Sequence, residues 1–407
     1  MPVSMNVRKV VGLVACAVIA LALAQSMVAA QPPTDDSPVF KLHTKAALEK
    51  DPFAVPKGTP AEMIKFLDGL KETEPPADEQ AAMKFVKKMS DTFIAVADKV
   101  LLAKPNAALT KSAVMYKMIG LHTLGELGDK NAEKQLEQMP AELYKLGFKE
   151  AARQVRCELL GMRLEGAENL SAAELTKIIG EIKTCLSGVE PGEDSVGLIV
   201  NAAMMAEHAG YKDLAISTYR EFGRAFRESK SKEVAALGFT LLGAARRLGL
   251  VGQPMPIEGI LLDGKAFDWA KYKGKVVLVD FWATWCGPCR AEIPNIARNY
   301  EAYHQRGFEV VSISVDQDRA KLEEFLEANK HPWTVLQDNA AAKGTDKSMS
   351  TYYGVIGIPE TVLIGRDGKV VALGVRGPAL GSELQKLLGP AEEKGPGDKA
   401  GSVEKKG

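Results

Sequence analysis

The sequence predicts an all-α domain of helical hairpins followed by an α/β domain, and three observations carry that expectation. From residue 61 to 250, apolar residues recur at spacings of three and four with Gly, Pro or Asn clusters between them, and strand-like alternation is absent. At Gly249 to Pro256 the composition shifts from helix formers to Gly and Pro, which marks a boundary. Beyond it, the apolar run Val276 to Trp282, a helical stretch from Cys286 to about Gln305 and a second strand-like run, Phe308 to Val315, form a strand, crossover helix and strand. Such a unit is parallel and right-handed. At 407 residues the chain exceeds one ordinary domain, so at least two folded units are expected.

Taken in order, residues 1–30 read as a signal peptide: basic Arg8 and Lys9, an apolar stretch from Val10 to Ala24, and small residues Val28, Ala29 and Ala30. The expectation is export with cleavage after Ala30, an uncleaved membrane anchor being the alternative. Residues 31–60, rich in Pro, Asp and Lys, are a loosely ordered lead-in. In the helical domain, 61–250, representative helices are Ala81 to Leu102, Lys111 to Leu127, Lys149 to Leu164, Ala172 to Leu186 and Asp213 to Glu228. Residues 206–222 weakly resemble a tetratricopeptide-type repeat, with Gly210, Tyr211, Ala215 and Tyr219 near the expected places. The period does not recur cleanly, so an irregular bundle stands equally open.

In the α/β domain, 251–389, a helix follows at Arg319 to Ala328, and a short strand is expected at Trp333 to Leu336. Thr361 to Ile364 and Lys369 to Gly374 flank Gly365-Arg366-Asp367-Gly368, a hairpin signal. A short helix, Ser382 to Leu388, closes the domain, and residues 390–407 are polar, Gly-rich and expected to be disordered.

Formal net charge is zero with 26% charged residues, which gives no reason to expect a nucleic-acid partner. Without the leader, four cysteines remain: Cys157, Cys185, Cys286 and Cys289. The first two lie on consecutive expected helices, and a structural disulfide or two separate thiols are both open.

Trp285-Cys286-Gly287-Pro288-Cys289 carries the chemistry. A Cys at a helix N-terminus meets the positive end of the helix dipole and unpaired backbone N–H groups, which favour its thiolate. Cys286 is so placed, and Cys289, one turn on and more enclosed, closes a small disulfide ring with it. A zinc site also uses this spacing, but it needs four ligands and usually a second close Cys pair, which is absent, and no His directly follows Cys289 to make a c-type haem attachment site. The expectation is a redox dithiol with no metal and no cofactor beyond the Cys286–Cys289 disulfide itself. So short a loop removes little chain entropy, which argues against a permanent structural staple.

The stretch GKVVLVDFWATWCGPCRAEIPNI, residues 274–296, with the lead-in GQPMPIEGILLDGKAF and the later GVIGIPETVLIGRDGKVV, closely resembles thioredoxin-fold proteins, and specifically the extracytoplasmic thiol-disulfide oxidoreductases of the TlpA and ResA type. The resemblance runs from about Val251 to Gly389, and the extra length between Val315 and Pro359 fits that group. It implies that Cys286 attacks a substrate disulfide and Cys289 resolves the mixed disulfide. Asp280, six residues before Cys286, is implied as a buried acid that takes the Cys289 proton, a position where many relatives carry Asn. Glu292 is implied as a carboxylate tuning thiol acidity, with a solvent-facing Glu as the plain alternative. Ile358 and Pro359 are implied as a cis-proline segment that pairs with an extended substrate peptide. Trp285 is implied as docking surface and Trp282 as packing. Pro294 is expected to kink the active-site helix.

The expected function is an exported reductase of protein disulfides. Pro359-Glu360-Thr361 resembles the Pro-Glu-Thr of cytochrome c maturation reductases, a resemblance that leans the expected substrate their way, and a membrane electron-donor protein is expected to recharge the dithiol. The alternatives are a disulfide oxidase or isomerase, and a helical protein-binding module carrying a tethered redox domain. Gly287 and Pro288 between the cysteines, where strongly oxidising relatives carry a His, favour reduction.

Overall fold

The computed structural model describes residues 51–166, 169–189, 192–338 and 348–391. The expected leader, most of the lead-in and nearly all of the tail lie outside these residues. The chain divides into two compact units, one ending at Glu165 and the other beginning at Gly166.

The first unit is helical throughout its described part: α1 (Pro60–Lys71), α2 (Glu79–Leu102), α3 (Ala107–Glu126), α4 (Lys130–Lys145) and α5 (Lys149–Glu165). Helix starts are written in the sequence. Thr59 and Glu62 form a reciprocal capping box at α1, and Asp78, Asn106 and Asp129 accept backbone N–H groups at α2, α3 and α4. Leu67, Phe93, Val96, Tyr116 and Met139 fill the core between them. Buried Lys117 is matched by Asp98 at 2.8 Å and Glu142 at 3.3 Å, which offsets the cost of taking its charge out of water.

The second unit begins with four more helices, α6 (Ala172–Leu186), α7 (Glu193–His208), α8 (Lys212–Arg227) and α9 (Lys232–Leu248). The chain then runs through β1 (Val276–Trp282), α10 (Gly287–Tyr303), β2 (Phe308–Ser314), α11 (Arg319–Ala328), β3 (Thr334–Gln337), α12 (Met349–Tyr353), β4 (Glu360–Ile364), β5 (Val370–Leu373) and α13 (Pro378–Leu388). The sheet order is β3-β2-β1-β4-β5. β1, β2 and β3 are parallel, and β4 and β5 run antiparallel to their neighbours. Buried on both faces, β1 reads as a nearly unbroken apolar run because it lies at the centre. Of the lead-in hairpin, Ile260 and Ala266 form a bridge, and Leu261 reaches β3 at Leu336.

Strand alternation sorts β1 into two faces. Val277, Val279 and Phe281 join one core with Val311, Ile313, Met349, Tyr353 and Val362. Val276 and Leu278 join the other with Ile296, Tyr303, Leu363, Leu380 and Leu384, under α10 and α13. Asp280 and Trp282 share the parity of this second face.

The compact division differs from the boundary read at Gly249 to Pro256. Composition marks the end of helix, but α9 packs directly on α12, so the helices from α6 onward belong to the unit that holds the sheet. Two smaller differences have local causes. α13 begins at Pro378 rather than Ser382, because Pro is well suited to a first helical turn. β3 starts one residue later than expected, since Trp333 is drawn into the core, where its indole N–H donates to Ser312 Oγ at 2.9 Å. A repeat of tetratricopeptide type is not established by this arrangement.

Candidate active site

Cys286 is the N-cap of α10, and the backbone N–H of Cys289 donates to its Sγ at 3.2 Å. The two sulfurs are joined in a disulfide, S–S 2.01 Å with Cα atoms 5.3 Å apart. Cys289 is expected to be the more enclosed of the pair, yet Cys286 is only 5% exposed, against 3% for Cys289. The closed ring holds both sulfurs in a cluster with Trp282, Ala283 and Leu322, against which Ile358 and Phe325 pack. Trp285, by contrast, stands 69% exposed next to the disulfide.

The turn carrying Trp285 is fastened by a residue that the sequence reading missed. Buried Asp316 accepts the Thr284 N–H at 2.9 Å, the Thr284 hydroxyl at 2.6 Å and the Ser314 hydroxyl at 2.7 Å. Parallel register sets Trp282 opposite Ser314, so the residues just past each strand end meet. An acid directly after a buried strand was the available signal.

Asp280 is buried in the middle of β1, and burial pushes its carboxyl up to about 7. The Ser312 hydroxyl, 3.5 Å from Oδ2, partly opposes this, the nearby Glu292 charge adds to it, and Arg376 opposes it. Because Ser312 Oγ also accepts the Trp333 indole N–H, a chain runs from Trp333 through Ser312 to Asp280.

Glu292 lies on α10 within electrostatic reach of Asp280, but its carboxylate is engaged. Oε1 accepts the Gly377 N–H at 2.8 Å and the Asn295 amide at 2.7 Å. It fastens the active-site helix to the loop before α13, a role the sequence did not indicate. Pro294 sits inside α10.

The Ile358–Pro359 peptide is cis, and Ile358 packs on the cluster that holds the disulfide. Arg376 donates to the Pro359 carbonyl at 3.2 Å. The structure thus brings Cys286, Cys289, Trp282, Trp285 and Ile358 to one end of the sheet, with Asp280 and Glu292 on the α10 side of it. Among the described residues, no group of three or more His, Cys, Asp or Glu is placed to hold a metal ion. No described helix is long and apolar enough to cross a membrane.

A disulfide capping the first turn of a helix, at the end of a central parallel strand and beside a cis-proline segment, defines a thioredoxin-fold redox protein. Residues 250–387 match the Redoxin family model. The chain is 30% identical over 172 residues to the thiol-disulfide oxidoreductase ResA of Bacillus subtilis, covering 40% of this chain and 90% of that protein. It is 34% identical over 140 residues to the ResA of Bacillus cereus strain ZK, covering 33% of this chain and 78% of that one. Among solved structures, it is similar to the thioredoxin domain of a thiol-disulfide oxidoreductase from Bacteroides vulgatus, with 30% identity, 34% of this chain and 97% of that chain covered, and a TM-score of 0.31. The chain belongs to the ResA-type thiol-disulfide oxidoreductases, and it is an enzyme of that class.

Proposed function

We propose that the protein is an exported reductant of protein disulfides that works through Cys286 and Cys289. The observation that carries this reading is the Cys289 N–H directed at Cys286 Sγ in the first turn of α10. In the reduced enzyme the same N–H and the helix dipole favour a Cys286 thiolate. That thiolate attacks one sulfur of a substrate disulfide. The substrate S–S bond breaks, one substrate sulfur leaves as thiolate and takes up a proton, and a mixed disulfide with Cys286 forms. Asp280, with its carboxyl near neutrality, accepts the Cys289 proton. Cys289 then attacks Cys286 Sγ, the second substrate thiol is released, and the enzyme disulfide forms. Two electrons have passed to the substrate, and an external dithiol donor, expected to be a membrane protein, must return them.

Ile358 and Pro359, against the disulfide cluster, offer the edge on which an extended peptide docks beside exposed Trp285. Gly287 and Pro288 favour reduction, and Pro359-Glu360-Thr361 supports a substrate in cytochrome c maturation. The basic and apolar first thirty residues support export.

The test is a trapping experiment in the native compartment. Cys289→Ser is expected to accumulate mixed disulfides through Cys286, identifiable by mass spectrometry, while the Cys286→Ser variant accumulates none. Equal trapping by both variants contradicts the assigned order of attack.

A further inference from the structure

Helices α7, α8 and α9 converge on the segment that leads into the cis-proline. Arg247, near the end of α9, is buried, and its guanidinium meets Glu207 of α7 at 2.9 Å and Glu360 of β4 at 3.4 Å. The Tyr219 hydroxyl of α8 donates to the other Glu207 oxygen at 2.8 Å. Glu360 directly follows Pro359 and pairs in register with Phe281 of the central strand. One turn-adjacent contact repeats the grip further back. Arg246 donates to the Tyr352 carbonyl and lies 4.0 Å from the centre of the Tyr352 ring.

Between these two side chains and the cis-proline, the backbones themselves touch. A Cβ on Gly243 would lie 2.5 Å from Gly354 N, and one on Gly354 would lie 1.8 Å from Ala244 N. Gly354 also has a φ of +60°, a conformation that costs glycine little. Residues 354–360 are therefore held at one end by a glycine-to-glycine contact and at the other by a buried ion pair. A loosely docked accessory helix would need neither.

We propose that Arg247 is a positioning residue that ties the start of β4 to helices α7–α9 and so sets the Ile358–Pro359 edge for an extended disulfide-bearing peptide. The proposal rests on the reading of that edge as the peptide-docking segment. Arg247 touches neither sulfur and acts through Glu360 on the residue next to Pro359. Its loss should impair docking of a peptide while sparing exchange with a disulfide too small to use the edge.

The experiment uses the full chain and two substrates: insulin, whose disulfides are carried on polypeptide, and the small aromatic disulfide dithiobis(nitrobenzoic acid). Arg247→Met is expected to lower kcat/KM for insulin on the order of tenfold or more, chiefly through KM. Its rate with the small disulfide and the potential of the Cys286/Cys289 couple should match the parent. Arg247→Lys should be intermediate, since one ammonium cannot reproduce the forked contact to two carboxylates. Where Arg247→Met does not fold, Glu207→Gln, which loosens Arg247 without removing it, is read by the same split. An insulin KM that does not rise, or an equal loss on both substrates, overturns the proposal. Retention of turnover by Cys286→Ser would instead overturn the dithiol reading on which it stands.

Discussion

Replacing Asp280 with Asn tests the buried acid through stability and activity at once. In the folded chain its carboxyl is raised from the ordinary 3.8 to about 7, mainly by burial. A folded value above the unfolded one means that the native state binds more protons between these limits. Stability therefore falls as pH rises from about 4 through 7 and levels off above. The interval corresponds to roughly 4 kcal/mol of ionisation penalty carried at pH 8. Asn cannot ionise and escapes it, but gives up the favourable contact with the Ser312 hydroxyl and leaves an amide buried, a loss of about 1–2 kcal/mol. Asp280→Asn should therefore be more stable than the parent by about 2–3 kcal/mol at pH 8, with the advantage gone or reversed at pH 4.5. Urea unfolding of both oxidised proteins at the two pH values measures it. The same variant should turn over on the order of a hundredfold more slowly near neutrality, having lost the acceptor for the Cys289 proton. A stability difference that does not change with pH, or undiminished turnover, refutes the reasoning.

Two further outcomes follow from the geometry. Asp316→Ala leaves the half-buried Thr284 N–H without its acceptor and frees the Trp285 turn, so it should lower stability by about 1–3 kcal/mol and slow insulin reduction, both read against the parent by urea unfolding and turnover. A fragment of residues 251–391 lacks Arg247 and the α9 surface over α12, so it loses the ion pair to Glu360 and the packing on α12; its unfolding free energy should lie below that of a fragment of residues 169–391. Equal unfolding curves for the two fragments would show that the helices add nothing to the redox fold.

Much of the site was legible because its chemistry is local. A Cys at a helix start, an acid at an even offset in an apolar strand and a Pro before a strand each have their place fixed by neighbours within a few residues. The sheet was legible for the same reason: Val276 to Trp282 is an apolar run broken only by Asp280, Phe308 to Ser314 is largely apolar, and Gly365 to Gly368 is a turn. What was not legible depends on partners far along the chain. Glu292 has the right position, but its hydrogen bond to Gly377 crosses to another element. Asp316 gains meaning only through the parallel register that brings it to Thr284. Arg247 looks like an ordinary basic residue at a helix end until the fold sets Glu207 and Glu360 around it. The composition break near Gly249 located where helix stops, whereas the backbone contact between Gly243 and Gly354 decides which helices belong with the sheet.

The Cys286/Cys289 couple is read as a reductant, its dithiol form giving two electrons and its disulfide form taking them back. Equilibrating the Cys286/Cys289 couple against glutathione or dithiothreitol buffers and counting alkylated thiols measures it directly. A reductant should show a potential near that of thioredoxin, roughly −270 mV, whereas a value near −120 mV would mark an oxidant and contradict the assignment.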